Sequence, residues 1–261
     1  MNQNRRHFLK FVGLSAAAGL CFGPVRGLMA SGGPAASSAP AETAAGLRAK
    51  RWAMVVDTRV LNSAETIKPL VDVCHSQHNV PDIPGNKNIK WIWGAPFHEA
   101  FTDMNTNYLA EGVESRQYVL LCNHCDNAPC VRVCPTKATY RRPDGIVTMD
   151  YHRCIGCRYC MAGCPYCSRS FNFGEPRLNL DLAKLNKEYP TRMRGVVEKC
   201  TFCVERLEAG KVPACVEAAK GALLFGDLTD SGSEVRKALR GNFTIRRKPS
   251  LGTEPSVYYI I

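Results

Sequence analysis

CIGCRYCMAGCP, residues 154–165, sets Cys154, Cys157, Cys160 and Cys164 at intervals of x2, x2 and x3, with Pro165 directly after the last. Two x2 loops place three thiolates at neighbouring irons of one Fe4S4 cube. In this spacing the fourth cysteine opens a helix pointing away and ligates the other cube of a pair. Pro165 fits, because a proline can start a new direction without a backbone donor. The stretch therefore requires a second run.

CNHCDNAPCVRVCP, residues 122–135, is that run, with spacing x2, x4 and x3 and again a terminal Cys-Pro. Exchange of fourth ligands predicts cluster A on Cys122, Cys125, Cys130 and Cys164, and cluster B on Cys154, Cys157, Cys160 and Cys134. The competing structural reading is a pair of zinc sites. Three cysteines within seven residues, and two x3-Cys-Pro endings, favour [4Fe–4S] clusters.

A third run, CTFCVERLEAGKVPACVEAAKGA (200–222), offers Cys200, Cys203 and Cys215, then Ala219 and Lys220 where a fourth thiolate is due. Its own partner run would lie before residue 122. Counting back from Cys74 gives Leu70, Ile67 and Ala64; counting forward from Asp57 gives Leu61, Ala64, Ile67 and Val71. Only Cys74 survives. Crosswise sharing then removes one whole cluster and completes the other, cluster C, on Cys200, Cys203, Cys215 and Cys74. Three [4Fe–4S] clusters use twelve of the thirteen cysteines beyond Cys21; Cys167 is left over and is expected to be a small buried thiol near a cluster. His75, His78, His124 and His152 lie near these ligands and are expected to tune potential or face solvent rather than ligate.

The first residues bear on compartment. NRRHFLK, residues 4–10, is a twin-arginine pattern, followed by an apolar stretch from Phe11 to about Pro24 that is too short to span a bilayer. Ala30 and Ala41 are both candidate last residues of a signal, and Ala39-Pro40-Ala41 fits an A-x-A site. The expectation is export of a folded protein, since a chain threaded unfolded into the oxidising periplasm would form disulfides instead of holding clusters. No other apolar run reaches transmembrane length, which predicts a soluble or peripheral mature chain.

The formal charge of +11 also shrinks: residues 1–41 hold four of the 34 basic residues and none of the 23 acidic ones, leaving +7. Each thiolate-bound cluster contributes roughly −2, so the surplus balances buried anions rather than marking a nucleic-acid surface. Arg246-Arg247-Lys248 reads as a solvated turn. No Ser/His/Asp set, carboxylate pair or phosphate-binding glycine loop stands in a suitable context, so neither catalysis nor a small-molecule substrate is expected.

Between the cysteine runs, RWAMVVD (51–57) reads as a strand and residues 66–78 as a helix with Ile67, Leu70, Val71 and Cys74 on one face. Pro69 requires that helix to begin near Thr66. Residues 85–117, rich in Gly, Asn and aromatics, read as a surface insertion or partner-contact loop. Residues 139–150 read as a β-hairpin turning at Pro143-Asp144-Gly145, and residues 171–197 as a polar helical insertion. The chain from Gly226 on reads as extended, with a short helix near 233–240. A strand ending in Asp before the cysteine positions occurs twice, as MVVD and VTMD. The fold class is α+β: two ferredoxin-like cluster-binding modules with loop insertions. The expected domains are a twin-arginine signal and linker (1–41), the first half of module 1 with an insertion (42–117), module 2 with two clusters (118–170), an insertion with the second half of module 1 and one cluster (171–226), and a C-terminal tail (227–261).

RWAMVVD, CNHCDNAPCVRVCP, CIGCRYCMAGCPYCSRSF, KCTFCVERLEAGKVPACVEA and GTEPSVYY together resemble the four-cluster ferredoxin-type subunits of dimethyl sulfoxide, polysulfide and formate-dependent nitrite reductase systems, over about residues 50–261. With its signal, the sequence looks most like iron–sulfur subunits of sulfite-reduction-associated membrane complexes. The resemblance implies an electron-transfer subunit in sulfite or sulfate respiration, working between an integral membrane quinone-interacting subunit and a redox partner such as a periplasmic multihaem cytochrome. It also implies that the missing cluster is the one nearest a molybdenum subunit, which such a wire would not serve. The alternatives are an electron-transfer subunit of a nitrite or sulfur-compound reductase and, in another class, a zinc-stabilised interaction module.

Overall fold

Trp52–Asp57 (β1) carries apolar side chains on both faces, and both are covered. Trp52, Met54 and Val56 enter the main core, whereas Ala53 and Val55 pack with Val235, Ala238 and Ile260. A strand buried on both sides reads as continuous rather than alternating apolar sequence. β1 pairs antiparallel with Leu223–Asp227 (β8) and parallel with Val257–Ile260 (β10), which in turn pairs antiparallel with Thr244–Ile245 (β9); the sheet order is β8-β1-β10-β9. The extended stretch near the C-terminus thus ends inside the main sheet. The short helix expected there spans Glu234–Gly241, with Ser233 Oγ accepting from Arg236 N.

The structure, a computed structural model, describes residues 46–104 and 108–261. The twin-arginine stretch, Cys21 and both candidate cleavage residues lie outside the described residues. Among those described, no helix is long and apolar enough to cross a membrane.

The helix after β1 spans Ala64–His78, two residues longer at its start than expected. Ser63 and Thr66 form a reciprocal capping box: Ser63 Oγ accepts from Thr66 N, and Thr66 Oγ1 accepts from Ser63 N. Pro69 therefore lies within the helix. Its fixed φ is tolerated one turn in, where only the bond to the Glu65 carbonyl is lost. Ile67, Leu70, Cys74 and His78 form the buried face.

Two expectations fail here. Residues 85–117 are not a surface insertion. Ile92–Pro96 (β2) pairs antiparallel with Gln117–Leu121 (β3), and Trp91, Phe97 and Phe101 are almost fully buried in the main core. Those aromatics were scattered by glycines and asparagines, so no strand period was visible; burial comes from pairing with a strand 25 positions away, Ile92 facing Leu121 at one end of the ladder. Residues 171–197 are not helical beyond two 3-10 turns, Pro176–Asn179 and Leu182–Lys184. Glu175 and Asp181 side chains accept from nearby backbone amides, the local competition that keeps acidic residues near turns. Asn79 clamps the segment by accepting from Asn186 N and donating to the carbonyls of Asn186 and Tyr189.

The hairpin forms as expected from Thr139–Arg141 (β4) and Val147–Met149 (β5), with Gly145 at φ 84°. Ser170–Phe171 (β6) pairs with Val197–Glu198 (β7). Arg246-Arg247-Lys248 is not a solvated turn: Arg247 is buried with Nε donating to Ala100 O, Lys248 Nζ donates to Pro165 O, and Arg246 pairs with Glu254. The three cations pin the backbone ahead of β10 because buried carbonyls and one carboxylate supply their partners.

Candidate cluster-binding sites

All three cysteine runs share one backbone device. The residue before the second cysteine is left-handed each time: His124 at φ 42°, Gly156 at φ 71° and Phe202 at φ 55°. That conformation curls each x2 loop so that its two thiols face the same side. Glycine adopts it freely, whereas His and Phe need compensation. His124 and Phe202 provide theirs by stacking on one another, ring centroids 3.7 Å apart. The third residue after the last cysteine repeats the device at Lys137 (φ 56°) and Cys167 (φ 53°). The repeat is a property of the cysteine loops; the helix that follows MVVD, Ala64–His78, carries no such left-handed residue.

Cys122, Cys125, Cys130 and Cys164 line one cavity, with Tyr166 and Arg169 in its wall. Cys134, Cys154, Cys157 and Cys160 line a second, with Thr139 and Met149. Cys74, Cys200, Cys203 and Cys215 are all buried together. Burial first, and then the charges of Cys200, Cys215 and Cys203, push the Cys74 thiol well up. The structure thus brings together each quartet named from the sequence, including one ligand from 126 positions upstream of Cys200.

The sets form a series. After burial and Cys215, it is Cys122 of set A that raises Cys200 of set C, and Cys130 of set A that bears on Cys160 of set B. Set A lies between the others. Set C is the most enclosed, whereas set B reaches the surface: Cys157 is exposed, and Cys134 and Cys154 are half-buried. Burial also lifts Cys125 to about 12 and Cys215 to about 11. Cys134 goes the other way, because hydrogen bonds from the backbone of Thr139 and the Thr136 side chain outweigh its slight burial. Crowded buried thiols cannot ionise together without a cation among them, and soft thiolate donors are the ligands of Fe–S clusters. The donor chemistry fits that cofactor.

Where a fourth set would need thiolates, the sequence has carbon. Leu61 and Ile67 are buried in the main core, Val71 and Ala219 pack on it, and Ala64 is exposed. Cys167 corrects the expectation of a buried thiol: it is exposed, because its left-handed turn position is the counterpart of exposed Lys137. Of the histidines, His152 faces solvent and His75 is half-buried. His78 is buried beside Cys74, its Nδ1 3.7 Å from Cys74 Sγ and its Nε2 2.9 Å from Glu205 Oε1. His124 is held neutral by burial, then by Lys199 and Arg169, and its Nδ1 accepts from Val147 N.

Several buried polar residues around the sites carried no sequence signal. Glu198 is fully buried and accepts from Arg192 Nε at 2.7 Å, Asn172 Nδ2 at 2.5 Å and Trp91 Nε1 at 3.0 Å. Arg192 also donates to the His78 and Asn79 carbonyls, tying this network to the end of the helix that carries Cys74. Lys199 is fully buried, with Nζ donating to Val147 O and Cys200 O. A charged residue directly before a cluster cysteine was the available hint, as in Lys199-Cys200.

A model of the 4Fe-4S dicluster domain matches residues 115–176, the stretch that holds sets A and B. An Hdr-like menaquinol oxidoreductase iron–sulfur subunit 1 from Archaeoglobus fulgidus is 43% identical over 233 residues, 80% of this chain and 83% of its own length. This protein belongs to the family of iron–sulfur subunits of oxidoreductase complexes. The iron–sulfur cluster-binding subunit of a menaquinone reductase from Nitratidesulfovibrio vulgaris is 32% identical over 80% of this chain and 88% of its own. The B component of polysulfide reductase from Wolinella succinogenes is 32% identical over 81% of this chain and 95% of its own. As an iron–sulfur subunit, the protein binds [4Fe–4S] clusters and transfers electrons; it is not the catalytic subunit.

Proposed function

We propose that this subunit holds three [4Fe–4S] clusters in the order C, A, B and relays single electrons between an integral membrane quinone-interacting subunit and a redox partner. The observation that carries this reading is the grouping of twelve cysteines into three contiguous quartets, with apolar side chains where a fourth would stand. Each cluster, when bound, supplies a one-electron carrier whose potential follows charge, hydrogen bonding and burial. The protein's own residues do the rest: thiols set the spacing, the left-handed loops aim them, and Glu198, Arg192 and Lys199 hold the surrounding backbone in place.

Two relatives are named for menaquinol or menaquinone, which supports a quinone-interacting partner. Set B, the exposed end, is the place for electrons to cross to another subunit. NRRHFLK supports export of the folded holoprotein to the periplasm, peripheral to the cytoplasmic membrane, with a multihaem cytochrome as redox partner there and sulfite or sulfate respiration as the setting.

Metal and sulfide analysis of the purified protein tests the cofactor reading: about twelve irons and near-equal sulfide per molecule are expected. Zinc without visible absorption would overturn it in favour of an interaction module. Arg5→Lys with Arg6→Lys tests export, since the double variant should stay in the cytoplasm. Isolation of the native complex tests the setting: a molybdopterin subunit in it would replace the sulfite reading with a polysulfide-type reductase, the reading that the Wolinella succinogenes relative supports.

A further inference from the structure

Three arginines are buried near the cluster sites: Arg192 is neutralised, Arg247 lies over the Tyr166 ring with its Nε on the Ala100 carbonyl, and Arg169 alone reaches the walls of two sets. Arg192 has Glu198 at 2.7 Å. Arg169, 5% exposed, pairs with no carboxylate among the described residues, and its Nη2 is buried without a hydrogen-bond partner. An isolated buried cation is strongly unfavourable, so a countercharge must lie close by.

Its position shows where that charge comes from. Arg169 lines the cavity of set A with Cys122, Cys125, Cys130 and Cys164. Its Nη1 donates to Thr139 Oγ1 at 3.2 Å and lies 3.6 Å from Met149 Sδ, two residues in the wall of the set B cavity. One guanidinium thus spans the partition between the two sets.

We infer that Arg169 is a shared positioning residue of sites A and B: a buried cation with no carboxylate partner among the described residues that stabilises an added electron on either and raises both potentials. The inference rests on the reading of A and B as [4Fe–4S] sites. Reduction adds one negative charge and changes no covalent bond, so a fixed cation between two sites favours the reduced form of each. Its fork, anchored on the B side through Thr139, also keeps that charge from relaxing towards one site alone. Arginine suits the role because its charge does not titrate in proteins and its planar donors can face two directions.

The test is a redox titration of the iron-loaded protein followed by electron paramagnetic resonance, with site C identified as the signal lost in Cys74→Ser. In Arg169→Gln, the potentials of A and B should both fall, each by about tenfold in its one-electron equilibrium, or about 59 mV, while C stays put. Arg169→Lys, which keeps the charge, should remain close to the parent protein. Loss of iron from the Gln variant but not the Lys variant would also support a charge that both sites require. Unchanged potentials in the Gln variant, a shift at A or B alone, an equal shift of all three, or loss of iron from both variants would overturn the assignment. Failure of the parent protein to bind twelve irons would instead overturn the underlying cluster reading, so the two failures are distinct.

Discussion

Residues 122–164 and residues 61–78 each follow a strand, yet the first is broken into one-turn helices, loops and a hairpin while the second is mostly one continuous helix. Around sets A and B the backbone is broken into one-turn helices, Pro129–Arg132 and Tyr159–Ala162, separated by left-handed residues. Without early thiols, the stretch Ala64–His78 is a regular 15-residue helix with a reciprocal cap and an apolar face. A cube needs its ligands curled around it, and that demand overrides helix periodicity. Remove the demand and ordinary amphipathic burial returns. The one cysteine retained there, Cys74, sits on the buried face, so a plain helix can still deliver a ligand to a distant run.

The comparison breaks most readily at that cysteine. Cys74→Ser should remove or convert one cluster, lowering iron by up to about a third of the total, whereas Cys167→Ser should leave iron unchanged; iron analysis and visible absorption distinguish the two. An unchanged Cys74→Ser spectrum would separate the helix from the run at 200. Next in size, Ile67→Ala should cost about 2–5 kcal/mol in unfolding with all clusters retained, because Ile67 packs where the absent set would have been. Iron lost in parallel with stability would mean that the region serves a cluster after all.

Gly156→Ala should cost about 1–3 kcal/mol from its left-handed backbone alone, and a Cβ there would also collide with the Gly195 carbonyl. Iron should be lost from site B before A or C, read by site-resolved paramagnetic signals. The smallest expected effect lies at the end of β1. The Arg59 side chain holds the Asp57 carboxyl below its usual value by hydrogen bonding. A lowered folded-state value means that the stabilisation is present above the ordinary carboxylate range and lost as pH falls through the lowered value. Asp57→Asn should therefore slightly reduce stability at neutral pH and flatten that acid-side slope, measured by chemical denaturation across pH.

How much was legible varies by residue and for physical reasons. The x2 and x3 intervals could be read because they are set by loops of two or three residues, a local constraint, whereas the assignment of each fourth ligand, Cys74 included, rested on the exchange expected between paired runs. The β4–β5 hairpin was legible for the same local reason, with its turn at Pro143-Asp144-Gly145. Trp91, Phe97 and Phe101 were misplaced at the surface because their burial depends on β2 pairing with β3. Residues 171–197 looked helical by polarity, yet their own side chains and Asn79 hold them in turns. The basic run at 246–248 looked solvated because nothing local shows that Ala100 and Pro165 present carbonyls to it.

Sequence alone determined which atoms can hold metal, since thiol identity and interval are covalent facts that no packing alters. It also shows no thiol between positions 61 and 71 or at 219, where the runs would lead a fourth set to be expected. Tertiary structure decided the sequence of sets from C through A to B, the exposure of Cys157 at one end, and the placing of an unneutralised Arg169 between two sets. Those features depend on which distant surfaces exclude water from a charge, and desolvation is a property of the folded whole rather than of any interval along the sequence.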